Sequence, residues 1–333
     1  MAYKELGKIA VMGGGSWATA LSRLMLNNCS EIIWYMRRPD RIEAFKTTGR
    51  NPVYVSDIVF DTSRIHFTSD INEACRLADT LLMVMPSPYF KGHADKITAD
   101  ISSKTIITAV KGIIPDEDMT VTKYLEHRFG VSPEKMLAVS GPSHAEEIAL
   151  GRRSYLTVAA NDQNLARAFA SMLRCSYVSA VTTDDVEGVE YAAVLKNIYA
   201  IAAGIAAGMR AGDNFVAVLV SNAIREMETF LTAVVPAERR ITDSVYLGDL
   251  LVTSYSRFSR NHNLGVMIGR GYTVKAARME MEQTAEGYFG SACIQHICER
   301  HGLKLPIVQT VFDILYQGRP AEKAIKAMSM QFN

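Results

Sequence analysis

At 333 residues the chain is too long for one ordinary core, and its length predicts about two domains of roughly 100–200 residues each. Hydrophobic residues make up 48% and charged residues 21%, a composition that excludes a disordered chain. The formal net charge of +1 gives no basis for nucleic acid or an anionic membrane as a partner.

Before Gly13 there is one short apolar run, without the longer apolar core and small-residue cleavage site of a secretory signal. Cys29, Cys75, Cys175, Cys293 and Cys298 are scattered and form no CxxC pair. Free thiols in a reducing compartment are the simplest account, so a cytoplasmic location is expected. Residues 9–12 and 32–36 read as strands, with a helix opening near Ser16 between them. Further apolar runs lie at 65–68, 80–85, 105–110, 136–140, 156–159 and 177–181. Most are rich in Val, Ile, Leu or Met without alternation, as in strands buried on both faces. Strand–helix alternation of this kind predicts an α/β fold with a parallel, doubly wound sheet, placed over residues 1–184.

After Asp184 the texture changes to helical periodicity: 186–209, 215–232, 246–255, 274–281, 290–301, 305–317 and 321–328. Pro306 and Pro320 sit near the starts of the last two, where proline is tolerated. A mostly helical second domain is therefore expected over 185–333. The most apolar stretch, 192–209, is interrupted by Lys196 and Asn197 and falls short of the ~20 residues that span a bilayer, so no membrane insertion is expected. Of the cluster Cys293, His296, Cys298 and His301, Cys293 and His296 share a helix face while Cys298 points elsewhere, so no metal site is expected.

The segment IAVMGGGSWATAL carries Gly13, Gly15 and Ala18 in the spacing G-x-G-x-x-A, between a strand and a helix. Two glycines permit a tight turn and close backbone approach to a pyrophosphate, and the small third residue lets helix and strand pack. The start of the helix that follows adds N–H donors and partial positive charge. The pattern is that of a Rossmann-type dinucleotide site. A carboxylate at the end of the second strand would favour NAD; here the strand ends in Arg37 and Arg38, with Asp40 beyond Pro39. Arginine can hold a 2′-phosphate in a bidentate pair, so NADPH is favoured over NADH, with two solvated surface arginines as the alternative.

The stretch EYAAVLKNIYAIAAGIAAGM sets Lys196 in line with Ala193, Ala200, Ala203, Gly204 and Ala207. Burial of its ammonium would pull the pKa toward neutrality, which suits a proton donor; a lysine snorkelling over a close helix contact reads equally well. Asp249, in GDL, could pair with Lys196, although spacing does not show that they meet, or serve as a charged helix cap. Ser259, Arg260 and Asn261 form a donor cluster suited to phosphate or carboxylate, or a solvated loop. Lys111 follows one strand, and Gly141 and Ser143 follow the next, at the sheet edge where ligands bind in open α/β folds. For Ser143, capping a helix beginning near His144 is sufficient explanation.

Taken in order, GGGSWATAL, WYMRRPD, VMPSPYF, AVKGI, SGPSHAEEIA, EYAAVLKNIYAIAAGI, GDL with SRFSRN, and AEGY resemble the bacterial NAD(P)-dependent glycerol-3-phosphate dehydrogenases over almost the whole chain. The resemblance implies a 6-phosphogluconate-dehydrogenase-like pair of domains and a homodimer. It implies interconversion of dihydroxyacetone phosphate and sn-glycerol 3-phosphate for phospholipid synthesis. It makes Lys196 the general acid–base. It puts Lys111, Gly141, Ser143, Asp249, Ser259, Arg260 and Asn261 against substrate, and Ser16, Trp17, Arg37, Lys111, Ala145, Arg260 and Glu286 against cofactor. A related dehydrogenase of a small hydroxyacid and a non-catalytic dinucleotide sensor are the alternatives.

Overall fold

The computed structural model describes residues 5–281 and 283–332. The chain folds as two compact units. One comprises the chain up to Val110 together with Val121–Val186; the other comprises Lys111–Thr120 and the chain from Glu187 onward. The short segment Lys111–Thr120 thus groups with the helical unit, although it follows a strand of the first.

In the first unit the chain runs β1 (Ile9–Met12), α1 (Ser16–Met25), β2 (Ile32–Tyr35), α2 (Pro39–Thr48), β3 (Ile65–Thr68), α3 (Ile71–Leu77), β4 (Thr80–Met83) and α4 (Ser87–Ala94). It continues with β5 (Thr105–Thr108), α5 (Val121–Phe129), β6 (Met136–Ser140), α6 (Ala145–Ala149), β7 (Ser154–Ala160), α7 (Gln163–Leu173) and β8 (Val178–Thr183). All eight expected strands are present, in one sheet of order β3-β2-β1-β4-β5-β6-β7-β8. Every neighbouring pair is parallel except β6 and β7, where Leu137 faces Ala160 and Ser140 faces Thr157 in antiparallel register. The expectation of a parallel sheet therefore holds up to β6. An apolar run buried on both faces reads the same in either direction, so the reversal left no mark in the sequence.

The strand order reverses at β1, flanked by β2 and β4, with Met12 beside both Tyr35 and Met83. That switch point opens a crevice at the carboxyl ends of the strands, the usual ligand position in such sheets. Trp34, Phe45, Phe60 and Phe67 interlock beneath it with ring centroids 5.1–6.0 Å apart, fixing β2 and its carboxyl end.

The second unit holds α8 (Val186–Gly208), α9 (Asp213–Val234), α10 (Asp249–Tyr255), α11 (Arg260–Gly269), α12 (Val274–Glu280), α13 (Glu286–His301), α14 (Pro306–Tyr316) and α15 (Ala321–Ser329). Helix α8 is long and apolar enough to cross a membrane, yet 89% of its most apolar window is buried inside the protein. A helix apolar all round is the central post of a bundle, and α8 fits that role. Its Gly204 and Gly208 face Gly265 and Gly269 of α11. A Cβ on any of the four would run into main-chain atoms of the opposite helix. This backbone-to-backbone contact gives residues 260–269 a partner and makes them a helix, where the sequence offered only a polar cluster or loop.

Candidate active site

Between β1 and α1 the glycine turn is held by its carbonyls. Trp34 Nε1 donates to Gly13 O at 2.7 Å, Asn51 Nδ2 to Gly14 O at 3.1 Å, and Thr19 Oγ1 to Gly15 O at 3.0 Å. Gly13 N is itself engaged, donating to Tyr35 O at 3.1 Å, so the N–H groups of Gly14 and Gly15 are the ones that can serve an anion. Gly13 has φ +137°, a conformation other residues rarely adopt, and a Cβ there would sit 3.1 Å from Val84 O on the neighbouring strand's exit. At Gly15, by contrast, an added Cβ would meet nothing within 4 Å, so its surface faces open space. The cavity over the turn, about 390 Å³, is lined by Gly13–Gly15, Tyr35, Arg37, Arg41, Tyr54, Met85 and Tyr89, among others. Ser16 and Trp17 open α1 as expected. A dinucleotide pyrophosphate fits these residues: a concave glycine floor, a helix start and arginines at the rim.

Asn51 carries no motif that would single it out before folding. Fully buried, its amide also donates to Thr19 Oγ1 at 2.8 Å, and its Oδ1 accepts from Val53 N and Tyr54 N at 3.1 Å each. One side chain thereby ties the phosphate turn to Tyr54 in the cavity wall. At the rim Arg37 and Arg38 are both exposed, but Arg38 is engaged by Asp40 through Nε–Oδ1 at 3.0 Å and Nη2–Oδ2 at 2.6 Å. Arg41 lies 5.9 Å from the ring centroid of Tyr54.

Two expected positions in the first unit resolve differently. Gly141 has φ +124°, and a Cβ would lie 2.6 Å from Tyr155 O, so the tight turn after β6 demands glycine. Ser143 does not cap α6: its hydroxyl turns back to donate to Gly141 O at 2.9 Å, while His144 occupies the cap position without a side-chain bond. The hydroxyl is satisfied by the turn that Gly141 makes, and capping is corrected to bracing that turn. Ala145 starts α6 and is buried.

In the second unit, Lys196 and Asp249 meet. They form a direct ion pair, both side chains nearly inaccessible, and Lys111 Nζ lies 3.9 Å from the same Asp249 oxygen. Of the two readings of Lys196, the buried partnered amine is the one present; no snorkelling occurs. The chain reaches Asp249 through a π-type turn at Ser244–Gly248, and Thr253 Oγ1 donates to Asp249 O at 2.6 Å. Asn197, beside Lys196, donates from Nδ2 to Lys111 O at 2.8 Å, fixing the segment that carries the second cation. Burial pushes the Lys196 amine down to about 7, opposed by Asp249 and reinforced by Lys111. Two ammonium groups around one carboxylate leave an excess positive charge in a dry place. That charge can stabilise an alkoxide or deliver a proton at neutral pH.

Ser259 caps α11 by accepting from His262 N at 3.2 Å, which sets Arg260 and Asn261 in its first turn. Asn261 Oδ1 accepts from Gly287 N at 2.9 Å, and Glu286 is the first residue of α13. The capped α11 therefore ties its donor residues to α13, although they stand far apart in the chain.

A dinucleotide crevice at a switch point, together with a buried ammonium poised near neutrality, defines a nicotinamide-dependent oxidoreductase. Residues 8–166 match the N-terminal part, and residues 185–326 the C-terminal part, of the NAD-dependent glycerol-3-phosphate dehydrogenase family. The chain belongs to that family and, with it, to the enzymes that use NAD(P). It is similar to glycerol-3-phosphate dehydrogenase (NAD(P)+) of Staphylococcus epidermidis, with 30% identity over 96% of this chain and 97% of that one. A second such enzyme of Salinibacter ruber is 32% identical over 95% of this chain and 92% of its own. Among solved structures, glycerol-3-phosphate dehydrogenase from Coxiella burnetii superposes with a TM-score of 0.88 at 25% identity, covering 97% and 98% of the two chains.

Proposed function

We propose that the protein reduces dihydroxyacetone phosphate to sn-glycerol 3-phosphate, in the cytoplasm and as a homodimer, and so supplies the backbone for glycerophospholipid synthesis. The observation that carries this reading is the buried Lys196–Asp249 pair with Lys111 beside it. The nicotinamide, when bound, supplies the hydride. Lys196 holds a proton at Nζ and gives it to the ketone oxygen as negative charge develops there; in the reverse direction it takes the proton from the alcohol. Asp249 keeps Nζ in place, and the Lys111 ammonium adds a second attraction for the oxyanion. Arg260 and Asn261 hold the substrate phosphate by charge-assisted donation, with Ser259 setting the start of their helix and Gly141 and Ser143 shaping a further contact. Gly13, Gly15, Ser16 and Trp17 receive the pyrophosphate. Arg37 and Arg38, at the carboxyl end of β2, would pair with a 2′-phosphate, which favours NADPH, and Ala145, Lys111, Arg260 and Glu286 would complete the cofactor contacts.

The test is loss of nicotinamide absorbance on mixing the protein with NADPH or NADH and a panel of ketones. Dihydroxyacetone phosphate is expected to be turned over, and dihydroxyacetone and keto acids to be poor substrates. Turnover of keto acids without a phosphate requirement would assign a hydroxyacid dehydrogenase instead. Binding of NADPH with no turnover of any ketone would make the protein a sensor.

A further inference from the structure

Helices α8, α11 and α13 converge on one glycine. The N–H of Gly287 donates to Asn261 Oδ1 in a buried bond of 2.9 Å. A Cβ on Gly287 would lie 2.6 Å from the carbonyl oxygen of Asn197 and 3.0 Å from Asn261 Oδ1. Asn197 is the neighbour of Lys196, and its own amide grips Lys111 O at 2.8 Å. Gly287 thus meets two residues: Asn197, which stands next to the amine and also fixes the segment of the second cation, and Asn261.

The bond also decides which way the Asn261 amide faces. An asparagine amide has an acceptor end and a donor end of nearly equal size, and only the hydrogen-bond network distinguishes them. A backbone N–H can be met only by the oxygen, so Nδ2 must face away from Gly287. Among the described residues none accepts from that Nδ2, although Asn261 is only 7% exposed. A substrate phosphate is purely an acceptor, and the opposite orientation would present it with an oxygen.

We infer that Gly287 is a positioning residue of the reaction: its N–H locks Asn261 with the amide donor free for the phosphate, and its missing side chain lets α8 and α11 close on that arrangement. The inference rests on Asn261 as a phosphate contact, as proposed above. A merely structural bond between α11 and α13 would serve any polar acceptor at residue 261, and this separates the two roles.

Asn261→Asp keeps an oxygen for Gly287 N, at a helix start where negative charge is favourable, but replaces the outward donor with an oxygen. Its thermal midpoint is expected to stay or rise, and its cofactor Kd to stay within about twofold, while KM for dihydroxyacetone phosphate rises by about thirtyfold or more. Gly287→Ala is expected to raise that KM about tenfold and to lower kcat, because its Cβ displaces the Asn197 carbonyl beside Lys196. Should Gly287→Ala not fold, Asn261→Asp decides alone. Asn261→Ala is the control and is expected to raise KM about tenfold. If Asn261→Ala raises KM and Asn261→Asp does not, the orientation is overturned and the phosphate contact stands. A folded Gly287→Ala with unaltered KM and kcat overturns the positioning role. If Asn261→Ala leaves KM unchanged, Asn261 is no phosphate contact and the inference falls with it.

Discussion

The turn after β1 presents backbone N–H groups and no charged side chain of its own, whereas the cluster on α8 and α10 gathers two ammonium groups around a buried carboxylate. The first is an arrangement of φ angles and absent side chains, held by Trp34, Asn51 and Thr19 on its carbonyls. It has nothing to titrate. The second exists only through protonation and burial: without Asp249 two cations would face each other uncompensated, and without Lys196 the carboxylate would keep only Lys111 at 3.9 Å. Binding in one unit and chemistry in the other should therefore fail separately.

The largest break in that comparison is Lys196→Ala. It removes the only proton source assigned to the ketone oxygen and leaves Asp249 with the more distant Lys111 alone, so kcat is expected to fall by about 10³, with the cofactor Kd within about twofold of the original. Nicotinamide fluorescence titration beside steady-state turnover reads both quantities. Equal turnover would show that the amine is structural.

Gly13→Ala should do the reverse. The position needs φ +137°, and the new methyl would press on Val84 O, so strain of about 2 kcal/mol falls on the turn that receives the pyrophosphate. Cofactor Kd is expected to weaken about thirtyfold, with kcat at saturating cofactor little altered. A fall in kcat with unchanged Kd would mean that the two functions are not divided as described.

pH probes the second region alone. Reduction needs Lys196 as ammonium, so at saturating cofactor the rate should fall as pH rises through about 7, approaching tenfold per unit well above it. Oxidation of the alcohol needs the neutral amine and should rise across the same window. Stability carries a related sign. Between about 7 and the ordinary lysine range the unfolded chain binds the proton and the folded chain does not, so this group makes the fold more stable as pH increases. Glu226 acts oppositely. Burial pushes its carboxyl up to about 8, against bonds from Ile307 N and Val308 N, so its contribution is present at low pH and lost as pH rises through that value. A flat activity profile between pH 6 and 9 would remove Lys196 as the titrating group.

What the sequence disclosed follows the same division. The eight strands and the glycine turn were legible because apolar runs and glycine spacing are local signals. Lys196 stood out as a charge in an apolar helix and Asp249 could be named as its partner, yet spacing could not show that they meet, because α8 and α10 are joined only by folding. Helix α11 was missed: SRNHNLG lacks a strong apolar period, and what makes it helical is a glycine face fitted to Gly204 and Gly208 of α8. Asn51 and Glu226 carried no local mark at all. Each acts on backbone groups remote in sequence, Asn51 on Gly14 O and Glu226 on the start of α14.

The smallest effect concerns the rim of the first region, the one place where it too depends on charge. Arg38 is paired with Asp40 in an exposed, two-point contact, and Arg37 beside it is exposed as well. Asp40→Asn releases Arg38 and removes a negative charge near the expected 2′-phosphate. The preference for NADPH over NADH should then rise by about two- to threefold at low salt and shrink at high salt, as exposed charges do. Arg37→Ala should lower the same preference by more. An unchanged preference in Asp40→Asn, with a fall in Arg37→Ala, would put Arg38 outside the reach of the phosphate and leave Arg37 as its sole arginine of the pair.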